Sequence, residues 1–354
     1  MNRRTFLISA ATMSSVGVIN FTPFAKFAFA ATPPIDAITA IKNLRIHAGS
    51  YTGGYLIAPA GKLNWYFANL GLSAILPYLS VPDLETYIRP YLNLYLAKRE
   101  ANATIQDVVF QNGDPTKTAT KLLSDSDDSY AATFLTLASL YVKASQNWTW
   151  WNTNKAVLKT IAYNNITLRV KKNGLTSVFQ TRGRTGYLMD NCEVYRGLRD
   201  FAAILRSNAD NDANYYDNFA NTIISGIKNN LYDNLNNAFI SNDTLFAAGT
   251  NFYNGDAGAT CQIFPQAYGL VELSSYFTNG WNYLNKIAPN WQDGRYDPYP
   301  WAILGYVAAQ RGAITQAQNQ VQMIENLFVT NQALVTINEL GYYHKTKAIL
   351  VAKA

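Results

Sequence analysis

Two kinds of helical pattern alternate along this chain. Residues 63–79, 130–142, 194–205, 264–273 and 300–309 are apolar on most sides and rich in small residues. Residues 81–96, 154–163, 214–231 and 314–328 instead carry one apolar stripe and one polar face. A helix that is apolar all round is buried, and one with a single stripe covers it. Their alternation predicts an all-α fold of two concentric rings, buried helices inside and covering helices outside. Between them lie short strand-like pieces. Thr167–Val170 and Thr176–Phe179 flank Asn173-Gly174, a hairpin signal. Phe239-Ile240 and Leu245-Phe246 flank Asn242-Asp243 in the same way, and Val108–Phe110 precedes Asn112-Gly113. No Pro- or Ser-rich linker interrupts the pattern, so residues 31–354 read as a single domain.

The buried helices open alike. Asp127-Asp128-Ser129-Tyr130 starts one and Asp190-Asn191-Cys192-Glu193 the next, while Gly255-Asp256-Ala257-Gly258 and Asp297-Pro298-Tyr299-Pro300-Trp301 precede two more. This spacing matches a helix pair with its loops and sets acids repeatedly at one end of the inner ring. Cys192 and Cys261, at the starts of neighbouring inner helices, are expected to lie close together.

Composition narrows the chemistry. With 49% hydrophobic and 15% charged residues, the chain can bury a large core. Its 24 Tyr, 17 Phe and 7 Trp exceed what a core needs and predict an aromatic groove. The net charge of +6 owes half its excess to Arg3, Arg4 and Lys26, and no basic cluster accompanies the rest, which argues against a nucleic-acid partner. Two His and two Cys without zinc spacing predict no metal, and neither an esterase elbow nor a phosphate loop is present. Catalysis must rest on carboxylates, Tyr, Arg or a single His.

Residues 1–30 read as an address. Arg3-Arg4 precedes Phe6-Leu7 and a weakly apolar stretch, and Ala28-Phe29-Ala30 supplies the small residues of a cleavage site. This resembles a twin-arginine export signal and implies a mature protein starting near Ala31, periplasmic or secreted, with no stable membrane span.

The layout resembles the (α/α)6 toroid of the six-hairpin glycosidase superfamily. Ser124-Asp125-Ser126-Asp127-Asp128-Ser129-Tyr130 is similar to the Asp-x-Asp segment opening an inner helix in family-eight glycoside hydrolases, where the second Asp, here Asp127, lies in the substrate cleft. The Glu that this family takes from the start of its first inner helix has no counterpart, since residues 50–62 contain no acid. The resemblance implies an exported glycoside hydrolase that acts on a poly- or oligosaccharide without a cofactor.

Glycoside hydrolysis needs two carboxyl groups flanking the bond, one protonated and one ionised. Asp127, Asp190 and Glu193 are the catalytic candidates. Capping alone would account for an N-terminal Asp, and Asp190 with Glu193 has capping-box spacing. Asp125, Asp128 and Asp256 are candidate substrate contacts, as are Arg184, Tyr187 and Tyr195 around a Gly-rich loop. Trp65 and Trp301 are the rings best placed to stack on sugar. A polysaccharide lyase on a similar toroid, or a carbohydrate-binding assembly protein, would use the same groove.

Overall fold

A computed structural model of the chain describes residues 32–252 and 258–353. The leader, with Arg3, Arg4 and Ala28–Ala30, lies outside the described residues, as does Asp256.

In chain order the helices begin with α1 (Ala37–Asn43), α2 (Trp65–Ile75) and α3 (Val81–Asp83), which runs through a π turn into α4 (Arg89–Lys98). Next come α5 (Asp128–Ser145), α6 (Trp148–Asn165), α7 (Leu188–Ser207) and α8 (Ala213–Asn230). A short α9 (Phe264–Ala267) is followed by α10 (Ser274–Ile287), α11 (Ala302–Arg311), α12 (Ile314–Thr330) and α13 (Ile337–Lys353). Helices α2, α5, α7, α9, α11 and α13 pack in that order, and α13 closes the ring against α2. The fold is an all-α toroid. Helix α5 buries residues on every side, whereas α8 buries the stripe Ala213, Tyr216, Ala220, Ile223 and Ile227.

Glycine permits close approach in the ring. A Cβ on Gly71 of α2 would lie 2.5 Å from the Ile337 carbonyl oxygen at the start of α13, with Gly341 one turn further on. Gly71→Ala is expected to destabilise the fold by about 1–3 kcal/mol through overpacking, measured as a lower urea midpoint at unchanged slope.

Several local expectations are corrected. The fourth inner position is not one helix over 264–273. Pro265 and Gly269 (φ +70°) confine α9 to a single turn between the 3-10 segments Ala259–Ile263 and Val271–Leu273. On the outer side, Pro90 lacks an N–H, and the π turn Leu84–Ile88 lies just before it. Strand β1 (Asp107–Phe110) pairs antiparallel with β2 (Ala119–Leu122), as the Asn-Gly turn implied. Around Asn173-Gly174 only one bridge forms, Val170 with Thr176, because Thr167–Arg169 winds into a 3-10 turn. The Asn242-Asp243 hairpin does not form. Phe239 in β4 (Ala238–Phe239) pairs instead with Tyr232 of β3 (Tyr232–Asp233).

Candidate active site

Each inner helix is followed by an outer segment that brings the chain back, so inner N-termini gather at one end of the toroid. A cleft of about 300 Å³ opens there. Tyr66 and Leu70 of α2, Asp190 of α7, Phe264 of α9, Ile303 of α11 and Glu339 of α13 all line it. Asp125, just before α5, completes the circuit.

Glu339 is the carboxyl that the sequence reading missed. It is 1% exposed and accepts hydrogen bonds from the Tyr299 hydroxyl (2.6 Å), the Asn338 amide (3.0 Å) and the Ala302 backbone N–H. Burial outweighs those bonds and lifts its carboxyl from 4.5 to about 7. The donor N–H of Ala302 belongs to the first turn of α11, so the same side chain also satisfies an orphan helix-end donor. One signal for it exists in the sequence. Thr336-Ile337-Asn338-Glu339 has capping-box spacing, as Asp190 and Glu193 do.

The structure separates the sequence candidates. Asp190 lies in the first turn of α7 and lines the cleft. Glu193, one turn on, lies beneath the floor. Its Oε1 accepts from the Tyr66 hydroxyl (2.5 Å) and the Tyr268 hydroxyl (2.9 Å), and both rings face the cleft. Asp125 lines the wall, half-buried.

Asp127 does not line the cleft. Its carboxylate accepts from Ser124 Oγ (3.2 Å) and the Gln180 backbone N–H (2.8 Å), tying two loops together, and burial raises its pKa. Asp127→Asn cannot accept at both oxygens. It is expected to cost about 1–3 kcal/mol while leaving the cleft walls intact, seen as a lowered melting temperature. Asp128 is wholly buried, accepting from Thr176 Oγ1 (2.6 Å) and the Ser129 N–H (2.9 Å), and it too is absent from the cleft.

Of the expected substrate contacts, Tyr187 and Trp301 line the cleft. Arg184 does not; Arg182 takes that place, its guanidinium 4.0 Å from the Phe179 ring centre and bonded to the Ser124 carbonyl (2.8 Å). The Tyr195 hydroxyl turns away to Glu272 (2.7 Å). Trp65 is wholly buried among Tyr51, Tyr91 and Tyr95, with its N–H on the Gln106 carbonyl (2.8 Å), so it offers no face to a sugar. An apolar ring flanked by rings is worth more to the core than to a groove.

Trp301 is held in an unusual way. Its backbone is left-handed (φ +49°), a conformation that costs a bulky residue energy and persists only where surroundings fix it. Gln320 donates to both the Pro300 (2.9 Å) and Trp301 (3.0 Å) carbonyls, and the indole N–H donates to Asp297 (3.0 Å). The two thiols are free and buried. Burial raises the pKa of both, Cys261 to about 12, and Cys261 is near enough to Cys192 to add to its shift.

Among the described residues, no three His, Cys, Asp or Glu side chains converge as metal ligands, and no helix is long and apolar enough to cross a membrane.

No family model matches the chain, and no curated protein does. Solved structures do. A rhamnosidase from Klebsiella oxytoca with rhamnose bound superposes with a TM-score of 0.59 at 12% identity over 83% of this chain. The chain spans only 54% of that protein's length. A glycosidase matches with a TM-score of 0.60 at 12% identity over 90% of this chain and 95% of its own. A family 76 glycoside hydrolase from a bovine Bacteroides thetaiotaomicron strain matches at 0.53 and 9% identity, over 90% and 76%. At such identities the likeness is one of architecture: the chain shares the helical toroid of these glycosidases.

Proposed function

We propose that the protein is an exported glycoside hydrolase of the six-hairpin type, acting on an oligo- or polysaccharide without a cofactor. One observation carries the reading. Glu339 and Asp190 stand on the walls of one aromatic cleft, two carboxyls at one site, and burial lifts the first to about 7 so that it can carry a proton near neutral pH. Glu339 protonates the leaving oxygen. Asp190 takes the proton of an attacking water, which inverts the anomeric centre. Trp301 and Tyr187 bear on the sugar rings, and Glu193 fixes the floor tyrosines.

Two of the cleft tyrosines are poor bases for β-elimination. A tyrosine must lose its proton to act as that base, yet burial pushes Tyr268 well above 10 and raises Tyr342 as well. Incubation with a glycan panel in heavy-oxygen water tests the reading. Hydrolysis places one heavy oxygen on the new reducing end, and nuclear magnetic resonance of the fresh anomer reports inversion. Ultraviolet-absorbing products would identify a lyase, and binding without any product a carbohydrate-binding protein.

A further inference from the structure

We infer that the cleft takes a single terminal, uncharged sugar unit, so that the enzyme trims neutral glycans from a chain end; this rests on the hydrolase reading above. Depth, charge and wall chemistry support it.

The candidate acid and base sit at the bottom, with Glu339 1% and Asp190 2% exposed. Below them the barrel is solid. Tyr66 and Tyr268 close the floor on Glu193, and Tyr66 stacks against Tyr130 (5.8 Å) over the core. A sugar in mid-chain needs a way out on both sides of the cleaved unit. Residues of all six inner positions ring this cleft above its closed floor, so a unit enters from the mouth, as a chain end does.

The ionisable groups of the walls are one-sided. Asp125 and Asp190 face the cleft beside the proton-bearing Glu339, and Arg182 is its one cation among the described residues. Arg182 is already engaged, by the Phe179 face and the Ser124 carbonyl, and its charge acts on Asp127. The converging helix N-termini would draw an anion. Here the chain's own acids meet them: Glu339 takes the Ala302 N–H, Asp128 the Ser129 N–H, and Asp190 lies in the first turn of α7. A uronate would therefore meet more carboxyls than cations, with a single, already bonded arginine to offset them. Leu70, Val178, Met189 and Ile303 add apolar wall, and the remaining polar lining, Thr185, Ser241, Thr260 and Asn338, is neutral and suits sugar hydroxyls.

The test uses three probe sets on the purified protein: neutral gluco-, manno-, galacto- and rhamno-oligosaccharides; the same chains capped at the non-reducing end; and chains ending in a uronate. The expected result is stepwise release of single sugars from a neutral chain. Capping should abolish release, and a terminal uronate should lower kcat/KM by ~10²-fold. Asp125→Asn removes one wall charge and should raise the uronate-to-neutral ratio of kcat/KM by about tenfold, which a purely structural residue would not do. Cleavage of capped chains, equal turnover of uronates, or an unchanged ratio in Asp125→Asn overturns the inference while hydrolysis itself stands. No release from any probe counts against the hydrolase reading and takes this inference with it.

Discussion

Glu339→Gln is expected to lower kcat by ~10²- to 10⁴-fold, the usual contribution of a positioned proton donor. The fold should survive the change. A glutamine carbonyl still accepts from the Tyr299 hydroxyl or the Ala302 N–H, and only part of the hydrogen bonding of a buried group is lost. The wild-type pH profile supplies the sharper test. Because burial lifts Glu339 to about 7, its neutral, proton-giving form declines as pH rises through that value. The activity of the wild type should fall on that limb. The residual activity of Glu339→Gln should show no such limb, since an amide does not titrate there. Stability follows the same proton. The folded carboxyl holds it more tightly than the unfolded one, whose ordinary value is 4.5. Its contribution is therefore full below about 4.5 and is lost as pH rises to about 7. Melting temperatures from pH 4 to 8 should show that slope in the wild type, and Glu339→Gln should flatten it. A variant with full activity and only a lower melting temperature would reduce Glu339 to a cap on α11.

Asp190→Asn is the second large effect, again ~10²- to 10⁴-fold in kcat, with little change in fold. Asparagine keeps the size of the side chain, and losing a negative charge at this buried first turn of α7 costs up to about 2 kcal/mol. The losses should not add. If Asp190 and Glu339 work on one bond, the double variant should be scarcely slower than the worse single one. Additive losses would mean that the two act independently. Azide supplied to Asp190→Asn should restore turnover by taking the place of the activated water, giving a glycosyl azide; failure of that rescue, with binding intact, would move the base to another carboxyl.

The periodicity of burial was legible in the sequence because it follows from helix geometry alone. Helices apolar all round at 130–142 and 194–205 fall within α5 and α7 of the inner ring, and the striped 214–231 matches α8 outside it. Placement of acids at one mouth was legible for the same reason, since each inner helix starts after the chain has been carried back. Asp125 and Asp190 both reach the cleft. Choosing among Asp125, Asp127 and Asp128 was not legible. Their side chains leave the chain in different directions, and only the loops from Ser124 and Gln180 decide that Asp127 ties backbone while Asp125 faces the cavity. Trp65 illustrates the same limit, because its neighbours come from residues far along the chain. Helix α13 escaped the reading altogether. Its buried turn, Asn338, Glu339, Gly341, Tyr342 and Tyr343, mixes polar and apolar residues, so hydropathy does not mark it as internal. Those polar groups are buried because α13 closes the ring against α2 and faces a cavity instead of a packed core, and that closure exists only once the whole toroid has formed.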